Sequence, residues 1–305
     1  MTKEKKISIH DNEILLSKLD KTFFPGEKIT KEDVINYYRK MWKEIEPHVR
    51  DRPMVLQRFP DGIKGEGFYQ KKVPVYFPDW ITTISVDVKK GNTKEDHVNC
   101  DSEETITYLA DQGVLTMHLW LSKKNKLNKP DRLAFDFDPS DDDFEKVRKA
   151  ALTLGGMLDK AGIVSYPMTT GSKGLHVIIP IEAEKDFDDV REVAKKIADK
   201  IVQEDEKSFT TETSKSKRKG RVFVDYLRNA YGQTMVMPYS IRPIEEAPVA
   251  VPLEWDEIKD KDLHPRKYNM KNIARRVSQK EDPWKEMDKN RIRLKDIKNE
   301  MLKTG

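Results

Sequence analysis

The stretch RLAFDFDPS, from Arg132 to Ser140, constrains this chain more than any other. Phenylalanine and aspartate alternate in it: Phe135, Asp136, Phe137, Asp138. A period of two predicts a strand, because successive side chains leave opposite faces of a pleated backbone. The phenylalanines then turn one face into a core. The aspartates project together from the other, with Cα atoms roughly 6 to 7 Å apart. Carboxylates this close repel one another and resist burial. A cation between them, or a proton on one, makes the pairing tolerable, and oxygen donors of this kind suit a hard divalent ion. Two such ions about 3.5 to 4 Å apart support phosphoryl transfer. Taken alone, D-x-D also occurs in glycosyltransferases, nucleases and ordinary strand ends. Asp225, the one acid in the apolar pattern RVFVDYL, offers the third carboxylate of a two-metal set.

A second segment, TTGSKGLHVIIP from Thr169 to Pro180, predicts two strands joined by a tight turn. Gly171 and Gly174 permit the turn, whose N–H groups can face a phosphate. Ser172 and Lys173 add a hydroxyl and a cation, and His176 opens the second strand. KSKRKGR, Lys215 to Arg221, places five basic residues in seven. Arg218 and Arg221, with Arg242 in PYSIRP, are candidates for bidentate contacts to phosphate oxygens. Basic groups beside an acidic site point to a polyanionic substrate.

Composition bounds the rest. The 305 residues suit one large domain or two small ones and suffice for a core. Charged residues make up 36% of the chain and no apolar run reaches 18 residues, so no membrane partner is expected. The N-terminus lacks the apolar region of a secretory signal. One cysteine, Cys100, excludes an internal disulfide framework and a cysteine-based zinc site, and a cytoplasmic location is the default. A net charge of +4 from 57 basic and 53 acidic residues does not itself indicate nucleic acid.

The hydrophobic pattern predicts strands near 13–24, 53–59, 81–88 and 114–122. It predicts a helix starting at Thr30, with Asp33 completing a capping box, and ending at Pro47. A polar loop is expected from Gly91, a helix over 103–112, and a helix capped by Ser140. Further strands at 164–181 and 221–227 flank a helix over 190–201. Strands and helices that do not alternate regularly predict an α+β fold.

Taken together, LAFDFDPS, TTGSKGLHV, RVFVDYLRNA and MPYSIRP closely resemble the polymerase domain of bacterial ligase D, in the archaeo-eukaryotic primase superfamily. LSKLDKTFFPGEKITKEDVINYY, DRPMVLQRFPDGIKGEGFYQK and, near the end, RKYNMKNIARRVSQKEDPW extend the resemblance over nearly the whole chain, in order. It implies a primase-like core of mixed sheets flanked by helices, forming one domain over 1–305. Its parts would be a DNA-binding and 5′-phosphate-binding region at about 1–100, a catalytic core at about 101–255 and a helical appendage at about 256–305.

The resemblance also implies roles. Asp136, Asp138 and Asp225 match the metal-binding triad for two divalent ions, Mn²⁺ or Mg²⁺. Ser172, Lys173 and His176 match the motif that meets the triphosphate, and Arg218, Arg221 and Arg242 match basic positions near the nucleotide. His118 and Thr170 match residues near the incoming ribose, which implies a preference for ribonucleotides. Lys21 and Lys31 match lysines that bind a downstream 5′-phosphate, and Lys18 stands where relatives have asparagine. Phe68 and Tyr69 match aromatic residues that stack on the template. Gln57 replaces a lysine of some relatives, and the loop from Gly91 to Asn99 matches one that helps pair two ends.

The activity implied is template-directed addition of nucleotides to DNA ends and gaps in non-homologous end joining. The alternatives are a primase of the same superfamily and a non-catalytic end-bridging module. The substrates would be nucleoside triphosphates and DNA ends in a prokaryotic cytoplasm, at the nucleoid during repair. No ligase motif is present, so the chain is expected to be either a stand-alone polymerase, the favoured reading, or a domain excised from a longer ligase; a stand-alone polymerase would need a separate ligase and a Ku-like partner.

Overall fold

The computed structural model describes residues 4–88, 93–141 and 143–302. The chain divides into two compact units, neither continuous in sequence. The first comprises residues 1–120, 236–250 and 268–280; the second, 121–235, 251–267 and 281–305. The C-terminal stretch expected to form one appendage is thus shared between them.

The second unit is built on a six-stranded sheet. Its order is Phe209–Thr210, Val222–Asp225, Arg132–Asp138, Leu175–Pro180, Tyr166–Thr169 and Val251–Pro252. All neighbours pair antiparallel except the first two, which are parallel. The helices Phe144–Lys160 and Phe187–Glu204 pack on this sheet and on each other. The apolar stripes Val147, Ala151, Leu154, Leu158 and Val190, Ala194, Ile197, Ile201 recur at helical spacing and are fully buried. Phe135 and Phe137 are fully buried too, as the alternation requires. Asp143, not Ser140, caps the first helix, its carboxylate accepting from Glu145 N at 3.0 Å. Ser140 Oγ instead donates to the Arg221 carbonyl at 2.5 Å. Asp142 lies outside the described residues.

In the first unit, Val114–Trp120, Met54–Arg58 and Phe68–Gln70 pair antiparallel in that order. The helix Lys31–Lys40 begins with the expected capping box of Thr30 and Asp33. The pattern predicted to run on to Pro47 breaks at Met41, and a second helix, Trp42–Val49, contains the proline. One missing N–H is tolerated there because so short a helix has few internal bonds to lose. A hairpin opens the unit: Lys5–Ile9, which was not predicted, pairs with Asn12–Leu16, which overlaps the start of the stretch 13–24 expected to be extended. The polar loop expected from Gly91 is largely a strand: Thr93–Val98 pairs with Thr83–Val88. Pairing to an apolar strand satisfies its backbone whatever its polar side chains prefer. Gly91 and Asn92 lie outside the described residues.

Candidate active site

Cross-strand register gathers the chemistry of the second unit. Asp136 lies opposite Asp225 on one side and opposite His176 on the other. Residues directly opposite in a sheet share a face, so the three form a row, and Asp138 projects from the same face two residues on. His176 Nε2 is 3.3 Å from Asp136 Oδ1. His176 is buried, and its Nδ1 has no protein partner.

Burial would raise the Asp136 carboxyl, but His176 and then Arg228 outweigh it and bring it down to about 2. Asp138 and Asp225 are raised, first by burial and then by the charge on Asp136. Positive charge is thus in demand at this row. Among the described residues no three acidic, histidine or cysteine side chains close into a metal cage. A guanidinium stands there instead: Arg228 Nη2 is 3.4 Å from Asp136 Oδ2 and Arg228 Nε is 3.4 Å from Asp225 Oδ2. Oxygen donors that already hold one cation and retain raised carboxyls fit a hard divalent ion.

Arg228 was not foreseen from the sequence, and neither was the residue that sets it. Asn229 is fully buried. Its Oδ1 accepts from Ala134 N at 2.8 Å, and its Nδ2 donates to Ala134 O at 2.7 Å and Tyr226 O at 2.8 Å. The amide side chain therefore continues the ladder beyond Asp225, where the backbone strand has ended. The signal in the sequence was the pair RN following VDYL, a charge and an amide just past a strand-borne acid.

The turn after Tyr166–Thr169 is organised by one hydroxyl. Thr170 Oγ1 accepts from Ser172 N at 3.3 Å and Gly174 N at 3.2 Å, and lies 3.2 Å from the Gly174 carbonyl oxygen, to which it can donate. Gly171 has φ +68°. A Cβ on Gly174 would lie 2.3 Å from the Phe137 carbonyl oxygen, so the turn abuts the aspartate strand too closely for any side chain there. Ser172 is half-buried and Lys173 exposed. Arg266 Nε donates to the Ser172 carbonyl at 3.2 Å.

The two arginines of the basic run turn inward, while Lys215, Lys217 and Lys219 are exposed. Arg218 is buried, stacks at 4.0 Å on the Phe223 ring and donates to the carbonyls of Glu212 and Thr213, each at 3.0 Å. Arg221 donates to the carbonyls of Arg218 and Lys217 at 2.9 and 3.2 Å. Arg218 and Lys215 still lie near enough to draw the Asp138 carboxyl down.

The remaining candidates belong to the first unit. Lys31 is buried, its Nζ 2.7 Å from Asp111 Oδ1 and donating to the Ser17 carbonyl at 2.6 Å. Burial lowers its pKa, as do the charges of Lys18 and Lys21, and Asp111 opposes them. The three lysines are therefore neighbours. Lys21 donates to the Pro60 carbonyl at 2.9 Å and to Asp61. Lys18 is exposed, with φ +52°.

Phe68 and Tyr69 are adjacent in one strand and so face opposite sides of it. Tyr69, opposite Gln57, lies 5.9 Å from the His118 ring. Phe68, opposite Arg58, receives that guanidinium at 5.5 Å. The aromatic pair is thus two separate surfaces. Arg242 is half-buried, its N–H donating to the Pro248 carbonyl at 2.7 Å.

A row of strand-borne carboxylates with a histidine, beside a Gly-Ser-Lys-Gly turn on a mixed sheet, defines a nucleotidyltransferase of the polymerase kind. Comparison with known proteins agrees. The family model described as LigD, primase-polymerase domain, matches residues 30–284. A bifunctional non-homologous end joining protein LigD of Bacillus subtilis is 31% identical over 274 residues, covering 89% of this chain and 44% of that protein. A multifunctional LigD of Mycolicibacterium smegmatis is 30% identical over 253 residues, covering 82% and 33%. The solved polymerase domain of Mycobacterium tuberculosis ligase D, in complex with DNA, superposes with a TM-score of 0.84 at 26% identity, over 92% of this chain and 99% of that one. The chain belongs to the LigD primase-polymerase domain family and has its primase-like fold. It spans less than half the length of these curated relatives. Among the described residues no helix is long and apolar enough to cross a membrane.

Proposed function

We infer that this chain extends DNA ends and fills gaps during non-homologous end joining, adding nucleotides, with ribonucleotides preferred, opposite a template. The row Asp225–Asp136–His176, with Asp138 beside it, carries the reading. Asp136, Asp138 and Asp225 would hold two divalent ions, Mn²⁺ or Mg²⁺, which supply Lewis acidity at the primer hydroxyl and charge neutralisation at the triphosphate. Asp136, held ionised, accepts from whatever donor faces it. His176 Nδ1, buried without a protein partner, supports a contact to a phosphate oxygen. Ser172, Lys173 and the N–H groups of the turn orient the triphosphate, and Arg218, Arg221 and Arg242 supply positive field. Arg228, paired with Asp136 and Asp225, would give up these contacts if the carboxylates held a metal ion. His118 is assigned to the sugar side of the nucleotide, while Thr170 serves the nucleotide through the turn that its hydroxyl holds. Lys18, Lys21 and Lys31 would bind a downstream 5′-phosphate, and Phe68 and Tyr69 would stack on bases. A ligase activity and a Ku-like end-binding protein are the partners this role requires, at the bacterial nucleoid.

Primer extension on gapped, 5′-phosphorylated DNA tests the reading. Wild-type chain incorporates nucleotides with Mn²⁺ or Mg²⁺, while Asp136→Ala and Asp138→Ala each abolish addition and retain DNA binding. An active double variant would remove the carboxylates from the chemistry. Wild-type chain that bridges ends and incorporates nothing would make it a non-catalytic module.

A further inference from the structure

A carbonyl of the Gly-Ser-Lys-Gly turn is held by an arginine to which neither the motifs nor the resemblance assigned a role. A turn whose N–H groups face a phosphate also carries carbonyl oxygens, and their partial negative charge repels the same phosphate. Arg266 Nε donates to the Ser172 carbonyl at 3.2 Å and so covers one of these oxygens with a cation. A guanidinium stays charged throughout the neutral range, so the contact brings a full positive charge to the turn. Water would satisfy a half-buried carbonyl equally well, so packing alone does not call for an arginine there.

Arg266 is carried by a segment that is itself fixed. Between Asp260 and Lys267 the chain makes two successive turns. Leu263 N closes the first on the Asp260 carbonyl at 3.1 Å, and Lys267 N the second on the His264 carbonyl at 3.0 Å. Lys267 Nζ also pairs with Asp260 Oδ2 at 2.9 Å. From the helix Phe144–Lys160, the buried Arg148 donates from Nη2 to the Leu263 carbonyl at 2.7 Å and to the Lys261 carbonyl at 3.4 Å. Leu263 is buried as well. One buried arginine thus anchors the segment, and a second, half-buried one reaches from it to the turn.

We propose that Arg266 is a positioning residue of the triphosphate subsite: it holds the Ser172 carbonyl and adds a fixed positive charge to the turn that receives the nucleotide's phosphates. The inference rests on the reading of this turn as the triphosphate site. Lys173, an exposed ammonium on a flexible stem, must be ordered by the nucleotide, whereas Arg266 is held before it arrives. The phosphates carry their charge before the reaction as well as during it, so losing this cation weakens nucleotide binding first.

Primer extension at varied nucleoside triphosphate concentration tests this with Arg266→Gln and Arg266→Lys. Glutamine keeps an N–H donor for the carbonyl and loses the charge, while lysine keeps both. Arg266→Gln raises the nucleotide KM about tenfold and leaves kcat within about twofold, as loss of a charged contact made equally in ground and transition states does. It weakens inhibition by inorganic pyrophosphate to the same degree. Arg266→Lys stays within about threefold of wild type in both measurements. DNA affinity by fluorescence anisotropy and the thermal melt are unchanged in both variants. An unchanged KM in Arg266→Gln overturns the assignment. So does an equally large effect in Arg266→Lys, or a loss that appears in the melt or in DNA affinity instead. If Ser172→Ala with Lys173→Ala leaves the KM untouched while wild-type chain extends primers, the reading of the turn as the triphosphate site fails, and the assignment of Arg266 with it.

Discussion

Asp136 has a neighbour on each side of its strand, and the two neighbours act in opposite senses. Asp225 across one ladder adds repulsion, while His176 across the other, with Arg228, removes it. The carboxylate that would otherwise be the most strained is therefore the one kept ionised, at about 2, and the unmet need for positive charge passes to Asp138 and Asp225. Thr170 shows how position can redirect a role. The resemblance assigns its hydroxyl to the ribose, yet in this fold the hydroxyl holds the Ser172–Gly174 turn. Thr170→Val keeps the shape and leaves two N–H groups without an acceptor, at about 1 kcal/mol or more each. Nucleotide addition should fall at least about tenfold, for ribo- and deoxyribonucleotides alike, and Thr170→Ser should stay close to wild type. Steady-state extension with both nucleotide classes reads this out. A change in the ribose-to-deoxyribose ratio alone would return the hydroxyl to the sugar.

Two helices share a buried ion pair in the first unit. Lys31 is the first residue of Lys31–Lys40, and Asp111 is the last of Glu103–Asp111. Removing one partner strands a buried charge, so Asp111→Ala should cost about 3 to 5 kcal/mol and lower the melting temperature by about 10 °C. Calorimetry checks this, and an unchanged melt would mean that Lys31 finds water on its own. The same geometry makes Lys31→Ala an ambiguous probe of phosphate recognition, because it disturbs the fold as well as the pocket. Lys21, partly exposed beside Asp61, is the cleaner choice.

Much of this was legible in the sequence where local chemistry and tertiary context agree. The alternation of RLAFDFDPS gave the strand and its faces, Thr30 and Asp33 gave a helix start, and the glycines of TTGSKGLH gave the turn. Thr93–Val98 was not legible, since its strand state comes from its partner rather than its own polar residues. The separation of Phe68 from Tyr69 needed only the pleat, once their strand was known. Arg228 and Asn229 lie past a strand end, where no periodicity marks them and only the neighbouring strand reveals their partners.

At the scale of the whole molecule, the chain visits each unit more than once. The second unit is completed by residues distant in sequence from its sheet. Trp284 Nε1 donates to the Pro167 carbonyl at 3.1 Å, and Ile292 bridges Ile181 beyond the strand that carries His176. The helix Leu294–Met301 packs Leu294, Ile297 and Met301 into the interior, against Phe187–Glu204. Burying each such side chain contributes about 1.5 to 3 kcal/mol. Loss of Trp284 with these three is on the order of 10 kcal/mol, comparable with the whole stability of a typical domain, about 5 to 15 kcal/mol. A chain cut after Lys280 retains Asp136, Asp138 and Asp225, the GSKG turn, and Lys18, Lys21 and Lys31. It should nevertheless lose the cooperative melt of the second unit, become open to protease between Tyr166 and Glu204, and fail to add nucleotides. Limited proteolysis beside differential scanning calorimetry distinguishes the outcomes. A truncated chain that melts and polymerises like the full one would show that the sheet holds its acids in register without the C-terminal segment.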